Sequence, residues 1–252
     1  MLKCYHIYVL LQFKSKEMKK YICIAVIFLT MMGEIFGQLP SEIKKRYSNS
    51  FDVYTDIILA KPENFTPKAM NMGYSFSVSY LIPVAKSNFS FSVGGGLSFH
   101  NIYSNAVPKD AIPEDLQKES WGDDFYFMTL DSIGGASYTK NKMAFTNFDI
   151  PVEILYYADN GLRFTAGVKL CFNIGSNTKY SGIDYLYGTE ETCKYKKYDL
   201  KNISSFGITP IVRFGWKWFN LYASYSLIPI YDATGGNCIR PISVGMSFMM
   251  SR

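Results

Sequence analysis

Charge, histidine and long apolar runs are all scarce in this chain. Charged residues make up 19% of its 252 residues, against about a quarter in an ordinary soluble domain. Histidine occurs only at His6 and His100, and neither a metal nor another cofactor is expected. Past the N-terminal segment no apolar run approaches the ~18 residues that mark a bilayer-crossing helix, so helical membrane spans are excluded there. Lysine and arginine (26) only slightly outnumber aspartate and glutamate (21), too small an excess for a nucleic-acid partner. What the chain does have is aromatic residues, 17% of the total, with 20 Tyr and 19 Phe.

The N-terminus has the three-part layout of a secretory signal. Met18-Lys19-Lys20 is positively charged, YICIAVIFLTMM (Tyr21–Met32) is a short apolar core, and GEIFGQ ends in Gly37 before Gln38. Cys23 lies inside the apolar core and none follows it closely, so no lipoprotein signal is present. Residues 1–37 are therefore expected to be removed, with translation starting at Met18. Their removal takes away five Lys and two Glu and leaves a net charge near +2. It also leaves His100 as the one histidine and Cys171, Cys193 and Cys238 as the cysteines. Residues 38–50 are expected as a periplasmic N-terminal segment, with a single domain over 51–252.

That domain repeats at strand period, apolar against small or polar. Eight segments carry the pattern: 51–59, 70–84, 89–103, 142–157, 162–175, 203–215, 219–227 and 239–249. In FSVSYLIPVAKSNFSFSVGGG (Phe76–Gly96), for example, Phe76, Val78 and Tyr80 oppose Ser77 and Ser79, and Phe89, Phe91 and Val93 oppose Ser90, Ser92 and Gly94. Three connections are short: AKSN, ADNG and the corner at Trp216–Trp218. Four are longer, near 60–69, 104–141, 176–202 and 228–238. An even number of strands joined alternately by tight turns and long loops is the layout of an outer-membrane barrel.

The choice between a soluble and a membrane barrel turns on which face carries the bulk. A soluble sandwich shows water a face of Lys, Glu and Thr. Here the polar face is mostly Ser, Gly and Thr, which suits the crowded interior of a narrow barrel. The other face carries Phe, Tyr, Ile, Leu and Val, as lipid contact requires. The expected fold class is all-β: a closed eight-stranded antiparallel transmembrane barrel, since hydrocarbon leaves no backbone group free to go unpaired.

The stretches MNMGYSFSVSYLIPVAKSNFSFSVGGGLSFHNIYSNA, NFDIPVEILYY and FGWKWFNLYASYSL with RPISVGMSF resemble the PorT-like outer-membrane β-barrel proteins of Bacteroidetes, over roughly Phe51 to Phe248. The resemblance implies a porin-like cell-envelope barrel and no particular activity; the namesake's link to a protein-secretion system is not carried over.

Alternation points Asp56, Asp149, Glu153, Arg163, Lys169, Arg213 and Arg240 inward, as a mixed-sign plug that bridges the strands. Tyr156, Tyr157, Trp216, Trp218 and Phe248 sit beside turns or the C-terminus, where an aromatic girdle lies. Cys193 and Cys238 fall in long loops of an oxidising compartment and form a candidate disulfide; Cys171 is expected to face inward and be inert. His100, expected near the outer rim, raises a Ser–His reading with Ser98, but Ser occupies almost every inward position and no enzyme is expected. The loop at 104–137 is acidic (Asp110, Glu114, Asp115, Glu119, Asp123, Asp124 and Asp131 against Lys109 and Lys118), a solvated face by default. Within it DFYFMTL (Asp124–Leu130) alternates and extends a hairpin above the membrane. The expected role is structural or one of surface interaction in the bacterial outer membrane, both termini periplasmic, with outer-membrane lipid, lipopolysaccharide and envelope or extracellular proteins as partners. A narrow channel or secretion accessory and a rim enzyme acting on lipid are the rival readings.

Overall fold

Alternating strands of this length must pair along both edges, and they do so by closing into a ring. In a computed structural model, which describes residues 46–62, 65–117, 127–130, 137–232 and 238–250, eight strands form the wall. They are β1 (Tyr47–Ala60), β2 (Met72–Pro83), β3 (Phe89–Tyr103), β6 (Tyr138–Tyr157), β7 (Leu162–Ile183), β9 (Phe206–Trp216), β10 (Phe219–Tyr225) and β12 (Cys238–Met250). Each pairs antiparallel with the next, and β1 pairs with β12 from Asn49↔Met250 to Ile57↔Ile242, which closes the barrel. Closure gives each of these eight strands a neighbour on both sides. Four further strands lie outside the wall sequence: β4 (Ala106–Pro108), β5 (Phe127–Thr129), β8 (Thr192–Tyr198) and β11 (Tyr231–Asp232). The signal segment and residues Glu119, Asp123, Asp124 and Asp131 lie outside the described residues.

Over most of the wall the bulky apolar residues face outward. Phe91 is 50% exposed, Val152 49% and Phe214 49%, while Ser75, Asp52 and Arg213 on the opposite parity are buried. This is the reverse of a soluble barrel and the arrangement expected for contact with lipid. Where the wall is tightest, glycine is required. A Cβ on Gly167 would stand 2.3 Å from the Val152 carbonyl oxygen on β6. Gly161, in the ADNG turn, has φ +88° and leaves room for the Trp216 indole, which donates from Nε1 to the Asn160 carbonyl at 2.8 Å.

The long connections hold more structure than their loop-like sequences suggest. β6 and β7 run past the other strands as a 20- and 22-residue pair, and β8 adds to β7 from Asn177↔Tyr198 to Ile183↔Thr192. The DFYFMTL segment does contribute a strand, β5, which pairs with β4 from Ala106↔Thr129 to Pro108↔Phe127. A register shift sits where Thr146 pairs with Gly175 but Asn147 with Asn173, leaving Ile174 as the extra residue of a β-bulge. The bulge changes the phase of β7. Below it Leu170 and Phe172 face outward; above it Asn177, Lys179 and Ser181 take that face, and Ser176, Thr178 and Tyr180 are buried.

The hydrophobic code inverts at about the same height on five strands. Phe148 and Val152 of β6 face outward, but Met143 and Phe145 face inward and are fully buried. Leu97 is replaced by inward Ile102 on β3, Phe172 by Tyr180 on β7, and Met246 by Ile239 on β12. On β1, Ile57 is exposed and Ile58 packs inward. Below this level the large apolar residues of these strands mostly face out; above it Ile102, Met143, Phe145, Tyr180 and Ile239 face in.

Candidate functional site: the lumen and its cap

The interior is stacked in layers. At the short-turn end, Leu81, Leu155 and Met249 form an apolar floor with Tyr157 packed against them. Arg163 closes this level, donating from Nη1 to the Met249 carbonyl at 3.1 Å with its guanidinium 4.8 Å from the Tyr157 ring centre. Tyr157 thus belongs to the floor rather than to the girdle: it shares the inward parity of Leu155. Tyr156, Trp216, Trp218 and Phe248 do lie on the outer surface at this end. Tyr156 packs on Phe89 at 4.9 Å and Trp218 stacks on Phe248 at 5.8 Å.

Above the floor, six strands send side chains to one charged knot. Arg213 of β9 reaches across the lumen and grips Asp52 of β1 with two N–H groups, Nη2 to Oδ2 at 2.9 Å and Nε to Oδ1 at 3.2 Å. Its Nη1 donates to Glu153 Oε1 of β6 at 2.6 Å. Lys169 of β7 donates to Asp52 Oδ2 at 3.4 Å, to Ser75 of β2 at 3.2 Å and to Tyr222 of β10 at 3.4 Å. The Tyr222 ring lies under both cations, 5.2 Å from Lys169 and 5.4 Å from Arg213. Buried charges survive only when paired in this way. An eight-stranded barrel has no more interior than side chains can fill, and this knot occupies its middle.

A model of the outer membrane protein β-barrel domain matches residues 40–232, well over half of the sequence. The chain belongs to that family. Among solved structures, two of Ail, the attachment invasion locus protein of Yersinia pestis, resemble it at 8% and 9% identity. The first, in complex with the heparin analogue sucrose octasulfate, gives a TM-score of 0.35, and the second 0.33. Each covers 82% of this chain and 99% of the neighbour's. No curated protein matches the sequence.

In this family member a second polar group sits above the knot. Asp56 Oδ2 takes a hydrogen bond with His100 Nδ1 at 2.8 Å, and Ser243 donates to Asp56 Oδ1 at 2.6 Å. The other ring nitrogen of His100 faces the Tyr54 hydroxyl at 3.3 Å. An acid does orient the histidine, but a phenol occupies the place where a serine nucleophile would have to stand. Ser98 instead accepts from Asn147 at 3.5 Å. His100 is also deeper than the rim, with its side chain only 13% exposed. It lines a cavity of about 40 Å³ with Asp149, Lys169, Cys171, Asn173 and Thr209. That is room for a few waters at ~10–15 Å³ each, and the otherwise unpartnered Asp149 Oδ1 is buried beside it.

Six of the seven charges expected in the lumen are buried there. Arg240 is the exception. It shares the parity of Ile242, Val244 and Met246, between buried Ile239 and Pro241, and so lies on the outward side of β12. Cys193 and Cys238 are both free thiols, and no bridge joins them. Cys193 packs among the tyrosines of the cap, while Cys238 pairs with Asp232 in the β11–β12 hairpin. Ser75 and Ser243 lie on the small polar face that alternation pointed inward, while Tyr54 and Tyr222 are members of the polar interior that residue type alone hid. Tyr54 and Tyr222 count as apolar in an alternation pattern, yet share parity with Asp52 and with Asn220.

Above the cavity the barrel is closed by an apolar core. Ile102, Met143, Phe145 and Ile239 from the wall meet Phe65, Ala106, Phe127, Leu200 and Tyr231 from the connections. A second cluster follows, with Val107, Ile112, Leu130, Tyr180 and Tyr185. At the β7–β8 turn one carboxylate organises the chain. Asp184 Oδ1 accepts from the Leu186 and Tyr187 N–H groups at 2.9 and 3.2 Å and from the Tyr195 hydroxyl at 2.7 Å. Thr189 donates to its Oδ2 at 2.9 Å. Burial raises its pKa somewhat, but these bonds outweigh that and hold it below the usual 3.8. A carboxylate with a lowered folded pKa contributes stability above its unfolded value and loses it as pH falls through the folded one. Protection of the 186–191 amides, measured as exchange relative to the intrinsic rate at each pH, is therefore expected to fall as the pH drops below about 4, and Asp184→Asn to show that low protection at neutral pH; pH-independent protection in the native chain would contradict this.

Proposed function

We propose that the protein is a closed, non-conducting barrel of the bacterial outer membrane whose task is to hold a folded cap at the membrane surface for structural or surface-interaction roles. The observation that carries this reading is the Arg213 guanidinium held in the lumen by both Asp52 of β1 and Glu153 of β6, with Lys169 beside it. An ion path needs mobile water between charges, whereas these charges are consumed by one another. The apolar floor and the core above add two further stoppers. On this reading both termini and the short turns face the periplasm, and the β4–β5 and β7–β8 hairpins face outward with the outer-leaflet glycolipid around them. This follows the usual asymmetry of short periplasmic turns and longer external loops.

Planar-bilayer recording tests the closure: purified protein is expected to give no stable openings, and large, long-lived unitary steps would overturn the reading. Orientation is tested separately. A protease applied to intact cells is expected to cut at the exposed 187–190 tip and to spare a tag placed after Arg252.

A further inference from the structure

Charge does not balance around the knot and the layer above it. Asp52, Asp56, Asp149 and Glu153 are all buried there, each 4% exposed or less. Against these four carboxylates stand Lys169 and Arg213, with His100 as a third cation when it is protonated. Arg163 is on the far side of the knot, on the Met249 carbonyl. It lies six residues below Lys169 on β7, roughly 20 Å away at ~3.4 Å per residue. Asp52 and Glu153 share Arg213, Asp52 also takes Lys169, and Asp56 holds His100. Asp149 is the carboxylate that remains. Among the described residues it forms no ion pair, and its Oδ1 is buried without a hydrogen-bond partner. A water molecule supplies a hydrogen bond but no charge, and a buried charge without a counter-charge is costly.

Asp149 lines the cavity of about 40 Å³ above the knot, which holds about three non-hydrogen atoms at ~10–15 Å³ each. Asn147, Thr209 and Ser224 add neutral oxygens to its lining. Gly207 keeps the space open. It shares the inward parity of Thr209, and a Cβ there would meet nothing nearer than the Cys171 Cβ at 3.6 Å, an ordinary contact. Entry is from the cap side. Lys169 is buried, whereas Cys171 and Asn173, the next two inward residues of β7, are half-buried. β10 stops at Tyr225, and residues 226–230 join β9 through the Leu227 N–H on the Ile208 carbonyl at 2.9 Å and the Ser204 N–H on the Ile230 carbonyl at 3.0 Å. Between these bonds Pro229 has no N–H with which to close the seam.

We infer that this cavity binds one monovalent cation, an alkali-metal or ammonium ion, on Asp149. One carboxylate without a counter-charge calls for one positive charge, and the space admits the ion and about two waters. Among the described residues no three His, Cys, Asp or Glu side chains converge to hold a metal, and a calcium-type ion takes six or more oxygen ligands, usually with several carboxylates. The knot stops the ion from below, so the site is a dead end and not part of a channel.

Thermal unfolding of the full chain in detergent tests this, at fixed ionic strength with sodium, ammonium or N-methylglucamine chloride as the salt. N-methylglucamine carries the same charge but is too large for the cavity. With the small cation at about ten times its Kd, the midpoint is expected about 3–6 °C higher than in N-methylglucamine. Asp149→Asn, which removes the charge and keeps the shape, should erase that difference. Gly207→Val, which fills the cavity and leaves every charge in place, should erase it too. Glu190→Gln, which removes an exposed carboxylate from the cap tip, should keep it. Sodium NMR line broadening, present with the native chain and absent with both lumen variants, reads binding directly and does not depend on how stable either variant is. A response to only one of the two small ions supports the site and names its occupant. Equal midpoints in all three salts for the native chain overturn the proposal, because water or a proton then serves Asp149. A sodium response or line broadening that persists in Asp149→Asn overturns it as well.

Discussion

Arg213→Ala is expected to cost about 3–5 kcal/mol in urea unfolding of the detergent-solubilised barrel, the largest loss from any single interior substitution. The reason is what stays behind. Asp52 and Glu153 are 1% and 4% exposed and would lose their shared guanidinium, with Lys169 at 3.4 Å still beside Asp52. Replacing one partner leaves uncompensated charge in a closed lumen, whereas replacing the set removes the problem. The combined Asp52→Leu, Glu153→Leu, Lys169→Met and Arg213→Met variant is accordingly expected to recover most of the loss. A small effect of Arg213→Ala alone, within about 1 kcal/mol, would mean that water already reaches the knot and that the lumen is not sealed.

Phe127→Ala should rank next, but with a different signature. Phe127 is 2% exposed, packs at 5.1 Å from Phe65 and 5.0 Å from Tyr231, and ties β5 onto the core above the lumen. Removing a buried phenylalanine costs about 3–5 kcal/mol. Here the loss falls on the cap, because the wall below is held by its own closed ladder. Proteolysis of the connections is expected to accelerate by two orders of magnitude or more, while the heat-modifiable band of the folded barrel on gels remains. Simultaneous loss of both would show that cap and wall unfold as one unit.

How much of this was legible in the sequence depended on the height above the tight turns. The eight strands, their outward bulk and six of the seven lumen charges follow from period-two alternation, because lipid outside and a crowded lumen inside impose one rule along each strand. Arg240 precedes Ile242 by two residues on an outward parity, which its charge masks. The ring of Tyr157 suggests the girdle, although Leu155 already sets its side. The cap looks like loops for two physical reasons. The bulge at Ile174 breaks the phase of β7, so Lys179 and Ser181 no longer continue the pattern of Phe172. In β6 the phase is kept but the environment changes, so Met143 and Phe145 look out of step with Phe148. Contacts between distant connections, such as Phe65 with Phe127, leave no periodic trace at all.

The inversion of the code between Phe148 and Phe145 also fixes how deep the barrel floats. Five strands each carry the switch independently, so a vertical slip by two residues would push lysines into oil on one side of the level or bare phenylalanines to water on the other. Immersion depth is therefore a property encoded in the chain, and a bilayer of different thickness must bend to meet the protein rather than the reverse.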